Sequence, residues 1–80
     1  MGRRVVIAPA ERRRMLAVPL VGERVLRRLE SIGVDGLEDV RDADPHELVS
    51  RVNVAAGRPI WSPPMATRAM ANLIAAARRG

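Results

Sequence analysis

The sequence predicts an all-α protein, a compact bundle of about five short helices, and three observations support this expectation. Apolar residues recur at spacings of three and four along the chain, which is the helical period. Helix-start and helix-stop residues bracket each apolar segment. After Ala8, no segment shows the strict alternation of apolar and polar residues that is typical of a half-buried strand. The 80 residues suffice for one domain, expected over residues 9–80 after a basic arm over residues 1–8.

The first two predicted helices lie on either side of a turn. The first begins at Pro9, since proline suits the first helical position, and ends near Ala17. The second begins at the turn and ends at Gly33, which can take a left-handed backbone angle. The expected inward residues are Met15 and Leu16 in the first helix and Val21, Val25, Leu26, Leu29 and Ile32 in the second.

Three further helices are predicted after Gly33. Asp35 and Glu38 have the spacing of a capping box, which predicts a short third helix. The segment DPHE at 44–47 repeats this signal with proline at the first helical position, and Gly57 ends the fourth helix. Ser62 precedes two prolines and is expected to cap the fifth helix. The inward residues are Leu37 and Val40 in the third helix, Leu48, Val49 and Val52 in the fourth, and Met65, Ala69, Met70, Leu73, Ile74 and Ala77 in the fifth.

The composition argues against several kinds of site. The chain has no cysteine and one histidine, so thiolate and histidine metal sites are not expected. The acids between Asp35 and Glu47 are accounted for by helix caps and exposed helix positions. We find no nucleophile–base pair and no Gly-rich phosphate loop, and therefore expect neither an enzyme nor a cofactor.

The apolar segments also bear on location. None approaches the roughly 20 residues that span a bilayer. The apolar part of the basic N-terminal stretch, Val5 to Ala8, is shorter than the roughly 7 to 15 residues of a signal-peptide core. We therefore expect a cytoplasmic protein with no membrane partner.

The net charge of +5 is distributed unevenly along the chain. All fourteen basic residues are arginine, whose planar fork suits phosphate. Residues 1–28 contain eight arginines and two glutamates, a net charge of +6, whereas residues 29–50 have a net charge of −6. Residues 51–80 contain five arginines and no acid. A basic N-terminal third is the pattern expected of an electrostatic surface for nucleic acid.

The turn between the first two helices carries a recognisable motif. A helix, the Pro-Leu-Val-Gly turn at 19–22 and a helix with arginine in its first turns together resemble a helix-hairpin-helix motif from Ala17 to Ile32. The following residues, GVDGLEDVRDADPHELVSRV, are similar to small helix-hairpin-helix proteins of the pathogenicity-locus and mitomycin-resistance type. The resemblance covers about residues 16–57. It implies a SAM-like helical fold and DNA binding without sequence specificity, through backbone N–H groups of the hairpin.

Elementary electrostatics agrees with this implied role. A helix N-terminus exposes unpaired N–H donors and about half a positive charge, so it favours an anion. Arg24 and Arg28 lie four residues apart on one helical face, and Arg27 lies beside them. The expected DNA-contacting residues are Val21, Gly22, Glu23, Arg24, Arg27 and Arg28 in the hairpin, with Arg12 and Arg13 in the first helix.

Other residues leave a second interpretation open. Leu20 replaces the first glycine of the usual turn, disfavours a positive φ angle, and is expected to point partly into the hairpin core. Glu23 places a carboxylate at the helix start and is expected to pair with Arg27. These residues favour a protein-interaction module that pairs its acidic middle with the basic ends of another copy or a partner. Trp61 is expected to cover the core edge, or alternatively to stack on a base.

Overall fold

The computed structural model describes residues 5–80, and over that range the fold is all helical. It has four α-helices, α1 (Pro9–Leu16), α2 (Glu23–Glu30), α3 (Pro45–Ala56) and α4 (Met65–Arg79), and a single 3-10 turn at Leu37–Val40. The predicted all-α class is confirmed. The expected number of five helices is wrong, because the segment predicted as the third helix forms only this 3-10 turn. Arg3 and Arg4 of the expected basic arm lie outside the described residues.

The segment between α1 and α2 is a tight turn. The backbone N–H of Val21 donates to the carbonyl of Val18 at 3.1 Å, and Leu20 has a φ of +70°. Proline in the second position and a positive φ in the third are the features of a type II β-turn. Leucine therefore adopts the angle that we expected it to disfavour. The side-chain amide of Asn72 in α4 donates to the carbonyl of Pro19 at 3.0 Å, which holds the turn in place.

The 3-10 turn is capped from another helix. The Oε1 atom of Glu11 in α1 accepts from the backbone N–H of Leu37 at 2.8 Å. The predicted capping box of Asp35 and Glu38 is wrong, because Gly36 occupies the N-cap position and Asp39 instead accepts from the N–H of Asp35. A Cβ atom on Gly36 would lie 3.0 Å from Cγ of Glu11, so a larger residue here would push the Glu11 side chain away by a few tenths of an ångström.

The ends of α3 follow the sequence signals more closely than the start of α4. Asp44 Oδ2 accepts from the N–H of Glu47 at 3.1 Å, and Gly57 ends α3 with a φ of +74°. Both predictions are confirmed. The cap expected from Ser62 is wrong, because Pro64 holds the N-cap position of α4 without a side-chain cap.

One core connects the described elements, and α4 packs across α3 and the 3-10 turn. The Cα radius of gyration is 11.3 Å, close to the roughly 12 Å expected for a compact chain of this length. Ile7 is only 2% exposed, so the expected basic arm does not extend to residue 8 as a separate segment. Met65, predicted to face inward, is 58% exposed because it lies at the edge of the core. The core residues are Ile7, Met15, Val18, Val21, Leu26, Leu29, Val34, Leu37, Val40, Leu48, Val49, Val52, Ala69, Met70, Leu73, Ile74 and Ala77.

Candidate nucleic-acid interface

A buried carboxylate joins the chain before α1, α1 itself and α2. The side chain of Glu30 is only 9% exposed, and its Oε2 atom accepts from the N–H of Ile7 at 2.8 Å. The same oxygen accepts from Nη2 of Arg12 at 3.2 Å, while Nη1 of Arg12 pairs with Glu23. Two carboxylates therefore balance the charge of Arg12. Although Arg12 was an expected phosphate contact, the structure places it in an ion-pair network that fastens α1 to α2.

The other arginines of α1 point away from a common site. Arg14 pairs with Glu11 at 3.1 Å, and both residues lie beside the acidic segment that contains Asp35 and Asp39. Arg13 is exposed and does not line the arginine cleft described below. Successive arginines on one helix point in different directions, so α1 does not gather its three positive charges on one face.

The arginines of α2 are differently placed. Arg24, Arg27 and Arg28 are all exposed, and their side chains form no ion pair or hydrogen bond with another of residues 5–80. The expected pair between Glu23 and Arg27 is wrong, because the Glu23 carboxylate binds Arg12 instead. The outer face of α2 therefore carries three positive charges with no carboxylate partner in the described part of the chain.

These three arginines line a cleft of about 630 Å³, which we call the arginine cleft. Its other lining residues are Ser31 at the end of α2 and Ile60 and Trp61 in the connector between α3 and α4. The connector is held by Asn53 of α3, whose Oδ1 accepts from the N–H of Trp61 at 2.9 Å. The Nδ2 group of Asn53 also donates to the carbonyl of Trp61 at 3.0 Å. Both bonds fix the backbone that carries the indole beside α2.

The expected role of Trp61 at the core edge is confirmed, since it is partly buried and packs against the core. Its position next to the α2 arginines was not foreseen from the sequence. More than thirty residues separate Trp61 from Arg28, and no local spacing reports such a contact. The only available signal was that Trp61 is the sole aromatic residue of the chain.

The start of α2 adds backbone donors close to this face. The first intrahelical bond runs from the N–H of Leu26 to the carbonyl of Gly22, so the N–H groups of Glu23 and Arg24 precede it. No side chain caps this end. A Cβ atom on Gly22 would meet nothing within 4 Å, so an anion can approach the backbone there. Val21 is different, because it is buried and its N–H already bonds Val18 within the turn.

An acidic surface lies elsewhere on the molecule. Its exposed carboxylates come from the 3-10 turn, its flanks and the start of α3: Asp35, Glu38, Asp39, Asp42, Asp44 and Glu47. A hydrogen bond and charge repulsion from Asp39 raise the pKa of Asp35 above its usual value of 3.8. Within residues 5–80, no three histidine or carboxylate side chains are grouped closely enough to hold a metal ion.

No known protein family, curated protein or solved structure matches the chain. No helix in the described range 5–80 has both the length and the apolar character needed to cross a bilayer. The candidate interface is therefore defined by its own geometry: three unpaired arginines, open N–H groups at a helix start, and a tryptophan on the opposite wall.

Proposed function

We propose that the protein is a non-enzymatic, helix-hairpin-helix-type module that binds the phosphate backbone of DNA without sequence specificity. The observation that carries the proposal is the outer face of α2, where Arg24, Arg27 and Arg28 have no carboxylate partner among residues 5–80. Guanidinium groups bind phosphate through paired, charge-assisted hydrogen bonds. The proposal places the protein in the cytoplasm, where such a backbone is accessible to it.

The start of α2 supplies a second anchor for phosphate. Unpaired N–H groups and the helix dipole favour an anion at Gly22 to Arg24. The carboxylate of Glu23 opposes an anion at this position, and Arg12, which Glu23 shares with Glu30, offsets only part of that charge. Phosphate contacts position a protein without reading bases, so binding through this face is expected to be similar for all sequences.

The salt dependence of binding tests this proposal. If three or four phosphates are neutralised, log K falls with log salt at a slope of about −3 to −4 on duplex DNA and somewhat less on single strands. We expect the double variant Arg24→Ala, Arg28→Ala to reduce the magnitude of the slope by about two units and to weaken all sequences alike. Fluorescence anisotropy of labelled oligonucleotides at several salt concentrations measures both quantities.

The matched control removes two arginines from the other end of the chain. Arg78 and Arg79 are exposed in the last turn of α4 and lie beside Asp42 and Asp44, and Nε of Arg78 donates to the carbonyl of Arg41 at 3.0 Å. The variant Arg78→Ala, Arg79→Ala makes the same change in net charge, so it corrects for the general loss of positive charge. We expect it to keep most of the slope. A parental slope and affinity in the Arg24, Arg28 variant would refute the proposed site.

A second candidate function is protein interaction or self-association, and an apolar groove favours it. The groove has a volume of about 390 Å³ and is bordered by Leu20 and Met65, which are 48% and 58% exposed. Its remaining lining residues are Val25, Ile60, Trp61, Ser62, Ala66, Ala69 and Met70. The exposed acidic surface could pair with the basic face of another copy.

Light scattering on the same samples distinguishes the two functions. The interaction module predicts negligible DNA binding together with a salt-sensitive increase in mass. Reversing the charge of Asp42 and Asp44 would then abolish that increase. A monomer at all salt concentrations that binds DNA would reject self-association as the main function.

A further inference from the structure

We propose that the preferred ligand of the arginine cleft is a single-stranded nucleic acid, with one base stacked on the indole of Trp61 and the adjoining phosphates on the α2 arginines. The inference rests on the proposed function, because it uses the same phosphate-binding face. It adds the strand state of the ligand and a role for the only aromatic residue.

The position of Trp61 carries the inference. It lines the arginine cleft together with Arg24, Arg27 and Arg28, and it also lines the apolar groove with Leu20 and Val25. The indole therefore stands at the boundary between a charged surface and an apolar one. A nucleotide has the same two parts, because a charged phosphate adjoins a flat base with an apolar face.

The two walls of the cleft are held at fixed positions. On one side, α2 packs into the core through Leu26 and Leu29, which are both 0% exposed. On the other side, Asn53 binds both the N–H and the carbonyl of Trp61. A cleft with fixed walls does not have to be ordered when the ligand binds, which favours affinity.

The chemistry of the cleft favours a single strand over a duplex. In a duplex the base faces are already stacked on one another, and only base edges are exposed in the grooves. A single strand can present a base face to an aromatic side chain, and such stacking accepts any base. The hydroxyl of Ser31 in the cleft donates to the carbonyl of Arg28. The cleft therefore offers an aromatic face for stacking and positive charge for the adjoining phosphates.

The sole tryptophan makes the inference directly measurable. The chain has no tyrosine or phenylalanine, so its intrinsic emission comes from Trp61. The probes are oligothymidylate of about eight nucleotides, within the usual range of single-strand site sizes, an abasic oligomer with the same number of phosphates, and a duplex of equal length. We expect oligothymidylate to quench the emission and to bind about 5- to 150-fold more tightly than the abasic oligomer. An oligouridylate and an oligodeoxyuridylate of the same length carry the same base on different sugars, so comparing their affinities shows which sugar the cleft prefers.

Two variants at one position separate stacking from packing. Trp61→Leu keeps an apolar side chain against the core but removes the aromatic face, so the preference for oligothymidylate over the abasic oligomer should disappear. Trp61→Phe keeps an aromatic ring and should retain most of that preference. If the leucine variant does not fold, the phenylalanine variant and the parental abasic comparison still decide the question.

The outcomes separate the two proposals. Equal affinity for oligothymidylate and the abasic oligomer, without quenching, would overturn the inference while leaving phosphate binding intact. Duplex binding as tight as single-strand binding would overturn it as well. If none of the oligomers binds, the proposed function itself fails.

Discussion

The arginines of α1 and those of α2 show how differently the same residue type is used in one small domain. Arg12 is 27% exposed and binds two carboxylates, one of them buried, and Arg14 binds Glu11. The arginines of α2 are exposed and have no carboxylate partner in the described range. Both helices carry a net positive charge, yet within residues 5–80 only α2 presents three arginines without a carboxylate partner on one face. The grouping of three unpaired arginines around one cleft, rather than the number of arginines, locates the candidate surface.

The largest expected effect is on stability and comes from α1. Arg12→Ala removes the charged partner of the buried Glu30 carboxylate, and losing one member of such a pair is expected to cost about 2 to 4 kcal/mol, since Arg12 is itself partly exposed. Urea unfolding measures this loss. The exposed neighbour provides the control, because Arg13→Ala is expected to change stability by less than about 0.5 kcal/mol.

The same variant also tests the contrast between the helices. Under conditions in which Arg12→Ala remains folded, its salt slope for oligonucleotide binding should equal that of the parent. A normal stability together with a reduced slope would mean that Arg12 contacts phosphate rather than holding α1 to α2.

A smaller effect is expected at the start of α2. Gly22 has an ordinary extended φ of −122° and open space where a side chain would stand. Gly22→Ala should therefore cost less than about 1 kcal/mol of stability. The added methyl group would obstruct an anion at the helix start, and we expect affinity for oligonucleotides to fall by up to about tenfold. Unchanged affinity in anisotropy titrations would show that the backbone N–H groups do not bind the ligand. The proposed site would then consist of the arginine side chains only.

A still smaller change in stability is expected at Leu20. Leu20→Gly removes the strain of a positive φ angle at a non-glycine residue, which stabilises the folded state by about 1 kcal/mol. Glycine also raises the conformational entropy of the unfolded chain, which destabilises the folded state by a similar amount. We therefore expect the unfolding free energy to stay within about 0.5 kcal/mol of the parent. Oligonucleotide affinity should rise, because the turn is then less obstructed. A loss of stability well beyond that range would show that the leucine contacts along the apolar groove outweigh the backbone angle.

The smallest effect is expected on the acidic surface. The pKa of Asp35 is raised by Asp39, so the charged form of Asp35 is disfavoured in the folded state. Folding is therefore more favourable when Asp35 is protonated. This contribution to the free energy of unfolding is fully present below the usual pKa of 3.8, and it is lost as the pH rises through the higher pKa of the folded state. Asp35→Asn should thus raise the urea midpoint slightly at neutral pH, relative to the parent, and this advantage should vanish in acid. An advantage that is equal at both pH values would point to a cause other than charge.

Much of the fold could be predicted because its signals are local. The helical period, the cap at Asp44 and the stop at Gly57 each depend on residues within one or two turns, and the structure contains all of them. The cap of the 3-10 turn comes instead from Glu11, 26 positions away, and no local pattern indicates it. The same reason explains why the sequence suggested a pair between Glu23 and Arg27, whereas a neighbouring helix provides the partner.

The candidate site divides in the same way. The basic face of α2 follows from its helical period, so Arg24, Arg27 and Arg28 could be named from the sequence. Two other features depend on tertiary packing. Arg12 is held in an ion-pair network instead of facing a ligand, and Trp61 lies close to the arginines of α2. Sequence reasoning therefore identified one wall of the arginine cleft and missed the other.

The most direct test of the account follows the arginine side chains individually. In a nuclear magnetic resonance titration with oligothymidylate, the Nε–H resonances of assigned arginines report which guanidinium groups meet the ligand. We expect those of Arg24, Arg27 and Arg28 to shift together with the indole N–H of Trp61, while Arg12 stays unchanged in its pairs with Glu23 and Glu30. Shifts centred on the arginines of α1, or equal shifts for arginines across the whole surface, would contradict the central claim that the unpaired face of α2 is the binding site.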